Sequence, residues 1–483
     1  MKASKISALN NIFHRKSPVR LADMIVFLLT ILLLWMHLCH LFLGVIKADD
    51  WEHLSAAWFI FNGYIPYLDF FQHHNPLLWY ILAPFFYVLK DPFNAFYVGR
   101  TISALFFLGS LYFIWKMMQR LGYSAKAYLY AVFVYLLYPV SHLNYPQNRP
   151  DTPMIFFLLA GFYYWTVFYQ SKKNRHIIFC YLCFFISFAF LQKAILFLAP
   201  FGIYQLYLLF KKQLKWGQVL LAAVMPLTIT FAYGIYLWHH NLLLRYWELN
   251  WILNAHFFRN YRMYTITIYD YVFGIGGVAL TIIGIIRCRD LKRHLLSILL
   301  TFEIIFLMIP KPYDYYWFIW TPFVSVVLGI VISKIKSPYQ LELLLPAMFG
   351  AIILFVRIDV EDAYHLKTTQ YVHSIMSPED RVITYGLSEF ALLSDKPEHY
   401  YYINLSRAAP LDIDLFHRHQ LPDWDTIVKR DKPRFVAYFQ IYNVQHLPDW
   451  HRDRFLMGID KSFLEQYYTR ITDKKYPLWM RKD

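Results

Sequence analysis

The chain has 483 residues, of which 58% are hydrophobic, 20% aromatic and only 16% charged. Globular chains average about 25% charged residues, and a mean hydropathy of +0.34 over this length requires many apolar segments rather than one large core. Disorder, collagen-like repeats and a small disulfide scaffold are excluded. What remains is an all-α polytopic membrane protein.

The net charge of +15 is unevenly placed. Before Arg357 there are 29 basic and 13 acidic residues, and from Arg357 onwards 18 basic and 19 acidic. The excess therefore lies in the hydrophobic part, as expected where cytoplasmic loops retain Lys and Arg. A nucleic-acid partner would need a basic stripe on a polar domain, and the sequence has none.

Apolar runs long enough to cross a bilayer, about 17–25 residues, number eleven. They are 21–43, 98–115, 127–143, 152–169, 177–190, 194–210, 217–238, 268–286, 295–310, 315–333 and 339–356. The first is long and lacks a small-residue cleavage site, so it is expected to stay as a signal anchor. A long outer segment, 44–97, follows it. Within that segment Trp51–Asn62 reads as an amphipathic helix, Gly63-Tyr64-Ile65-Pro66 as a turn, and Pro76–Leu89 as an interfacial helix too short to span.

The segment opens with Ala48-Asp49-Asp50-Trp51-Glu52. Adjacent carboxylates raise each other's pKa or demand a cation or a donor. They suit a general base with an orienting partner, and equally a helix cap beside a dipole-facing acid; spacing leaves both open. His73-His74, before Asn75-Pro76, are metal-ligand types, but adjacent side chains rarely reach one ion and no H-x-x-x-H accompanies them. A polar turn into the next helix is the expected role, with Pro76 at the helix start. No metal ligand is assigned.

Further along, Asn148-Arg149-Pro150-Asp151 fills a short loop before the span at 152–169. It is either an ordinary ion pair of little worth or an Arg placed for bidentate phosphate binding with Asp151 orienting it. Cys180 and Cys183 sit in an apolar run and read as small buried side chains rather than a redox pair. Gln192-Lys193 and Lys311-Pro312-Tyr313-Asp314-Tyr315-Tyr316 supply further cations and aromatics. A terminal Lys often only snorkels, but the topology brings all of these to the membrane face that carries Asp49. The loop 239–267 adds Arg245, Arg259 and Arg262, and Glu303 near mid-span reads as a buried hydrogen-bonded acid. After residue 356 comes a small polar domain, 357–483, with helices expected at Glu361–Met376, Trp424–Arg430 and Ile459–Tyr468 and strands at Arg381–Tyr385 and Arg434–Phe439. That alternation implies α/β.

Taken together, the acid-led run Ala48–Leu54, the turn Asn62–Asp69 and the Pro-led helix start His74–Tyr80 resemble the first outer loop of class C (GT-C) glycosyltransferases. The bacterial branch with lipid A aminoarabinose and galacturonic-acid transferases is the nearer likeness, and protein O-mannosyltransferases a more distant one. Arg149-Pro150-Asp151, Gln192-Lys193, the Tyr-rich stretch before Pro322 and the ending Tyr476–Lys482 resemble further family stations.

The resemblance implies a GT-C fold over 1–356, a polyprenyl-phosphate sugar as donor and a glycan, lipid or protein hydroxyl as acceptor. It implies inverting transfer at the outer face of a bacterial plasma membrane. Asp49 then matches the catalytic base, with Asp50 beside it; Arg149, Lys193 and Lys311 are the candidates for the donor phosphate. Asp151, His73, His74 and Tyr316 are the candidates for positioning donor and acceptor. Some relatives carry a Glu-Lys pair where this chain has His74-Asn75, a departure that counts against a metal or phosphate contact from that station; a divalent metal elsewhere stays open as a cofactor. The competing reading, a transporter or flippase for an amphiphilic lipid-linked anion, predicts repeats and broken spans near the midplane. The polar residues here gather at one face instead.

With the N-terminus inside, 20 of the 29 basic residues before Arg357 fall on inner segments and nine elsewhere. An odd number of spans then puts 357–483 outside. Topology reporters fused after Lys126, Lys215 and Asp483 are expected to read inside, inside and outside. A cytoplasmic signal from the last fusion would reverse the assignment.

Overall fold

A computed structural model of the chain describes residues 21–43, 48–89, 92–138, 145, 147–255, 268–287, 290–308, 317–335, 370–377, 380, 382–385, 424–438, 461–471 and 478–482. The expected span at 339–356 lies outside the described residues. The described residues of the other ten fall almost entirely on helices.

In chain order the helices are α1 (Leu21–Leu43), α2 (Ala48–Phe61), α3 (Leu77–Leu82), α4 (Ala95–Arg120), α5 (Ala125–Leu137), α6 (Asp151–Ser171) and α7 (Asn174–Phe190). Then come α8 (Ile195–Phe210), α9 (Trp216–His239), the short α10 (Leu243–Trp247), α11 (Ile268–Arg287), α12 (Asp290–Met308) and α13 (Trp317–Ile332). Among the described residues, five helical stretches are long and apolar enough to cross a membrane: Leu21–His40, Ala95–Arg120, Asp151–Ser171, Gln192–Phe210 and Trp216–His239.

The helix α6 is the hub, packed against α4 and α7, while α13 packs on α5 and α12 on α11. Its most apolar stretch is 72% buried, against 6% for that of α9. A helix that shows Leu220, Val224, Leu227 and Phe231 to its surroundings is stable only in lipid. Between the helices the core is aromatic. Phe162 meets Phe184, Phe201 and Phe323 edge-on, with ring centroids 5.3, 5.7 and 5.9 Å apart.

The outer segment folds largely as expected. Residues 51–61 are helical, and the interfacial helix begins after Pro76. It changes from α to 3₁₀ over Ala83–Tyr87, because Pro84 has no N–H to donate and its ring opposes the carbonyl four residues back. Alternating helix directions bring α2, the bend at 71–76, the 147–150 loop, the 3₁₀ turn Gln192–Ala194 and α10 to one end of the bundle. At the other end Lys126 pairs with Asp23 at 2.8 Å and Lys292 lies 4.4 Å over the Tyr123 ring.

In the polar part, β1 (Val382–Tyr385), α14 (Trp424–Asp431), β2 (Phe435–Tyr438), α15 (Lys461–Tyr467), β3 (Tyr468–Arg470) and β4 (Leu478–Arg481) form an α/β unit. Its sheet has the order β1-β2-β4-β3, with β1 and β2 parallel and the other pairs antiparallel. Val382, Val428, Phe435, Val436, Leu464 and Leu478 are fully buried there. Strand β3 was not expected from sequence. It follows α15 without a linker, and only its pairing with β4 ends the helix.

The α5–α13 crossing is close enough that a Cβ on Gly329 would lie 2.4 Å from the Ala131 backbone nitrogen. Forcing a methyl group into such a contact typically costs about 1–3 kcal/mol. Gly329→Ala is therefore expected to lower the melting temperature in detergent. Gly234→Ala, inside α9 where a Cβ meets nothing within 4 Å, is expected to hold or slightly raise it, since Ala favours a helix interior over Gly.

Candidate active site

Adjacent residues on an α-helix point about 100° apart. Asp49 and Asp50, in the first turn of α2, therefore face different neighbours. Asp50 points into the bundle and is fully buried. Its Oδ2 accepts from Arg100 Nη2 at 2.9 Å, its Oδ1 from Arg100 Nε at 3.4 Å and from the Asn148 backbone N–H at 2.7 Å. Arg100, on α4, is itself 1% exposed and lies 4.4 Å over the Phe96 ring. One buried carboxylate thus ties α2 to α4 and to the 147–150 loop.

That loop lies directly on α4. A Cβ on Gly99 would fall 2.0 Å from Asn148 Oδ1, so the Asn148 side chain rests against the bare backbone of α4 there. Ser103 Oγ donates to the Gln147 carbonyl at 2.9 Å. The next residue, Arg149, is aimed at the open end of the bundle. Its Nη1 donates to Asp49 Oδ2, and its Nε donates to Asp151 Oδ2 at 3.1 Å. Asp151 opens α6, where the helix dipole favours an acid, and Lys193 Nζ approaches its Oδ1 at 3.6 Å. Arg149, Asp151 and Lys193 are buried, but the Asp49 side chain keeps 34% of its surface open.

On α2 the spacing i, i+3, i+4 places Asp49, Glu52 and His53 on one face. Burial pushes the Glu52 carboxyl up to about 8, helped by the Asp49 charge and opposed by Arg149. His53 accepts at Nδ1 from Trp79 Nε1 at 3.0 Å, and burial, reinforced by Arg149, lowers its pKa to about 3. His73 is lowered to about 4 and His74 well below its usual value, in both cases mainly by burial. Burial thus disfavours the charged form of all three imidazoles.

The two adjacent histidines converge. The bend at 71–76 sets their rings 4.0 Å apart at 40°, and His73 Nδ1 lies 3.7 Å from Glu52 Oε1. Glu52, His73 and His74 each bring a ligand atom within 4.8 Å of the other two. A divalent cation therefore has three donors of suitable type at this point.

The structure brings Asp49, Asp50, Arg149, Asp151, Lys193, His73 and His74 to one end of the bundle. Lys311 and Tyr316 lie outside the described residues, as do Arg259 and Arg262. Sequence reasoning missed Glu52 and His53 as members, and Arg100 stood out only as one of the nine basic residues off the inner segments. For Glu52 and His53 the signal was available in their helical phase with Asp49. For Arg100 it was a charge inside an apolar run, which is costly unless paired.

Comparison with known proteins follows this geometry. The sequence profile of the dolichyl-phosphate-mannose-protein mannosyltransferase family matches residues 73–238, which include His73, His74, Arg149, Asp151 and Lys193. No curated protein sequence matches the chain. Among solved structures, ArnT from Cupriavidus metallidurans bound to undecaprenyl phosphate is similar, with a TM-score of 0.61 and 10% identity over 95% of this chain and 97% of that one. The chain has the class C glycosyltransferase fold. An oligosaccharyltransferase from Archaeoglobus fulgidus, in complex with Zn and sulfate, matches with a TM-score of 0.52 and 12% identity over 95% of this chain and 73% of its own. At such identities the shared property is the GT-C scaffold itself, which gathers the loops described above at one end of the bundle.

Breaking a buried ion pair by removing one partner typically costs about 3–5 kcal/mol. Asp50→Ala and Arg100→Ala are each expected to lower the melting temperature strongly. The double variant is expected to lose less than the sum of the two, because one unpaired buried charge is the common penalty. Strict additivity in that cycle would show that the two side chains do not interact.

Proposed function

We propose that the chain is a membrane glycosyltransferase that moves a sugar from a polyprenyl-phosphate donor to a hydroxyl acceptor at the outer face of the membrane. The observation that carries this reading is the pair Asp49–Arg149: a half-buried carboxylate meets a buried guanidinium, with Lys193 close to the Asp151 that both cations share. The lipid phosphate bound to the similar ArnT structure and the mannosyltransferase profile support the donor class. An acceptor peptide tethered in the similar archaeal oligosaccharyltransferase structure supports a separate acceptor beside the lipid-linked donor.

The chemistry assigns one task to each group. The acceptor hydroxyl oxygen attacks the sugar C1 from the side opposite the phosphate, which inverts that carbon. Asp49 takes the hydroxyl proton as the new C–O bond forms. The C1–O bond to phosphate breaks, and its electron pair leaves on the lipid phosphate, where Arg149 and Lys193 stabilise the charge. Asp151 orients both cations through its two oxygens. Asp50 acts at one remove, by fixing the loop that carries Arg149. A divalent cation at Glu52, His73 and His74 would add positive charge beside the phosphate site. The membrane assigned by this reading is the bacterial plasma membrane, with the N-terminus inside.

Asn caps a helix about as well as Asp, so Asp49→Asn separates a structural from a chemical role. The variant is expected to melt like the wild type and to lose about 10²–10⁴-fold in transfer from a synthetic lipid-phosphate sugar. Arg149→Ala and Lys193→Ala are expected to weaken donor binding, each by the roughly 1.5–3 kcal/mol of a charged hydrogen bond. Full activity of Asp49→Asn in a reconstituted assay would remove Asp49 as the base.

A further inference from the structure

We infer that the end of the bundle opposite the candidate active site binds one anionic diacyl phospholipid, with an acyl chain in the cleft between α4, α12 and α13 and the phosphate at Lys292. This site stands independently of the proposed transfer reaction, whose groups lie at the other end.

The cleft is bounded by the last turn of α4, the first turns of α12 and the second half of α13. Its empty space, the part open to the surroundings included, is about 640 Å³, within the roughly 300–1,000 Å³ of ligand pockets. Apart from Tyr123 and Lys292 its lining is wholly apolar. Packed interiors leave few gaps larger than a water molecule, and a water needs several polar partners to stay in one. A gap of this size and character suits hydrocarbon.

Depth narrows the choice of hydrocarbon. From Lys292 to Leu299 the helix α12 rises about 10 Å, about a third of a bilayer core of roughly 30 Å. Past that level the cleft is closed by aromatic rings. Phe162 and Phe197 lie 5.9 and 4.2 Å from Phe323, centroid to centroid, and Phe197 stacks on Phe302, about one turn further along α12. An occupant therefore enters from this end and stays on this side of the midplane. The acyl chain of a lipid in the adjoining leaflet meets that condition. The polyprenyl chain of the proposed donor starts from a phosphate at the far end of the bundle.

The mouth of the cleft supplies the charge. Lys292 is half-buried, and its Nζ lies 4.4 Å over the Tyr123 ring. That contact lays the aliphatic stem along the apolar wall and leaves the ammonium hydrogens able to donate to a phosphate. The next residue, Arg293, is exposed and donates from Nε to the Ile285 carbonyl at 3.1 Å, so it serves the turn between α11 and α12.

The surroundings favour an anion. Segments 116–126, 172–175, 211–215, 287–293 and 334–336 carry 15 basic residues and one acid, Asp290. Lys116, Lys172 and Lys211 lie 4.7, 4.2 and 5.9 Å over the rings of Trp115, Tyr169 and Tyr207. Cations and aromatic rings paired in this way mark the level of lipid headgroups. Such a surface attracts anionic lipid in general. Among the described cations at this end, Lys292 is the one that also lines the apolar cleft, so charge and chain are recognised together there.

The test uses the full chain purified in detergent, with dioleoyl phosphatidylglycerol, dioleoyl phosphatidylcholine or undecaprenyl phosphate added. Bound lipid is counted by native mass spectrometry, and the melting temperature is followed in parallel. One phosphatidylglycerol per chain is expected, preferred over phosphatidylcholine by about 5-fold, the worth of one cation at an anionic surface. Lys292→Met keeps the stem without the charge and is expected to bind the two lipids equally. Lys211→Ala, at the same end but outside the cleft, is expected to keep the preference. Val326→Phe, which fills the cleft, is expected to melt in lipid-free detergent at or above the wild-type temperature and to retain neither lipid. Equal retention of both lipids by the wild type overturns the inference, as does an unchanged preference in Lys292→Met or an equal loss in Lys211→Ala. Undecaprenyl phosphate bound more tightly than phosphatidylglycerol, and lost in Val326→Phe, overturns the diacyl assignment.

Discussion

Asp50 accepts three hydrogen bonds with no surface open to solvent, from two nitrogens of Arg100 and from the Asn148 backbone. A carboxylate in that position is stable only while its partners stay. In holding them it fixes the distance between α2, α4 and the loop before α6. Arg149 is the next residue of that loop and Asp151 begins the next helix. The arrangement at the mouth of the bundle is therefore a consequence of a pairing formed beneath it. Gly99 lies against the same loop, since a Cβ there would require the Asn148 side chain to move.

Around this clasp the site is polar inside and aromatic outside. Trp51, Trp79, Tyr67 and Phe96 are fully buried beside it, and they exclude water from the imidazoles and from Glu52. Water exclusion disfavours charge on the three histidines: for His53 and His73 loss of solvation outweighs attraction to Asp49, and for His74 it acts together with the nearby Lys193 and Arg149. The same low polarity strengthens every remaining charge interaction. On the proposed reading, a dry wall and a few fixed charges are what would hold the donor phosphate.

Much of this was legible in the sequence. Apolar runs gave ten helices because a lipid-facing helix has to be apolar over a fixed length, and that constraint leaves no alternative pattern. The outer segment was legible because Gly63, Pro66, Pro76 and Pro84 punctuate it. Two things were not. The adjacent histidines read as a simple turn, because spacing along the chain carries no information about a bend imposed by Tyr67, Gln192, Asn254 and Tyr246. The adjacent acids read as a pair, although their helical phase separates them by about 100°. Asp49 serves the cleft and Asp50 the core, and the partners that divide them, Arg149 and Arg100, lie 49 residues apart in sequence.

That division bears on how a base and a phosphate site share one cation. A carboxylate paired with a guanidinium is a weaker base than a free one, and Arg149 contacts Asp49 and Asp151 at once. A guanidinium has five donors in a rigid fork, so it can turn towards a phosphate while keeping Asp151. On the proposed reading, an arriving donor phosphate competes with Asp49 for Arg149 and loosens the hold on the base. Asp49 is the most open of the three acids in the cleft, and Asp151, deeply buried and close to Lys193 as well, is the one that keeps Arg149 in place. Basicity then rises at the moment a leaving group is bound, and an empty cleft keeps its base held.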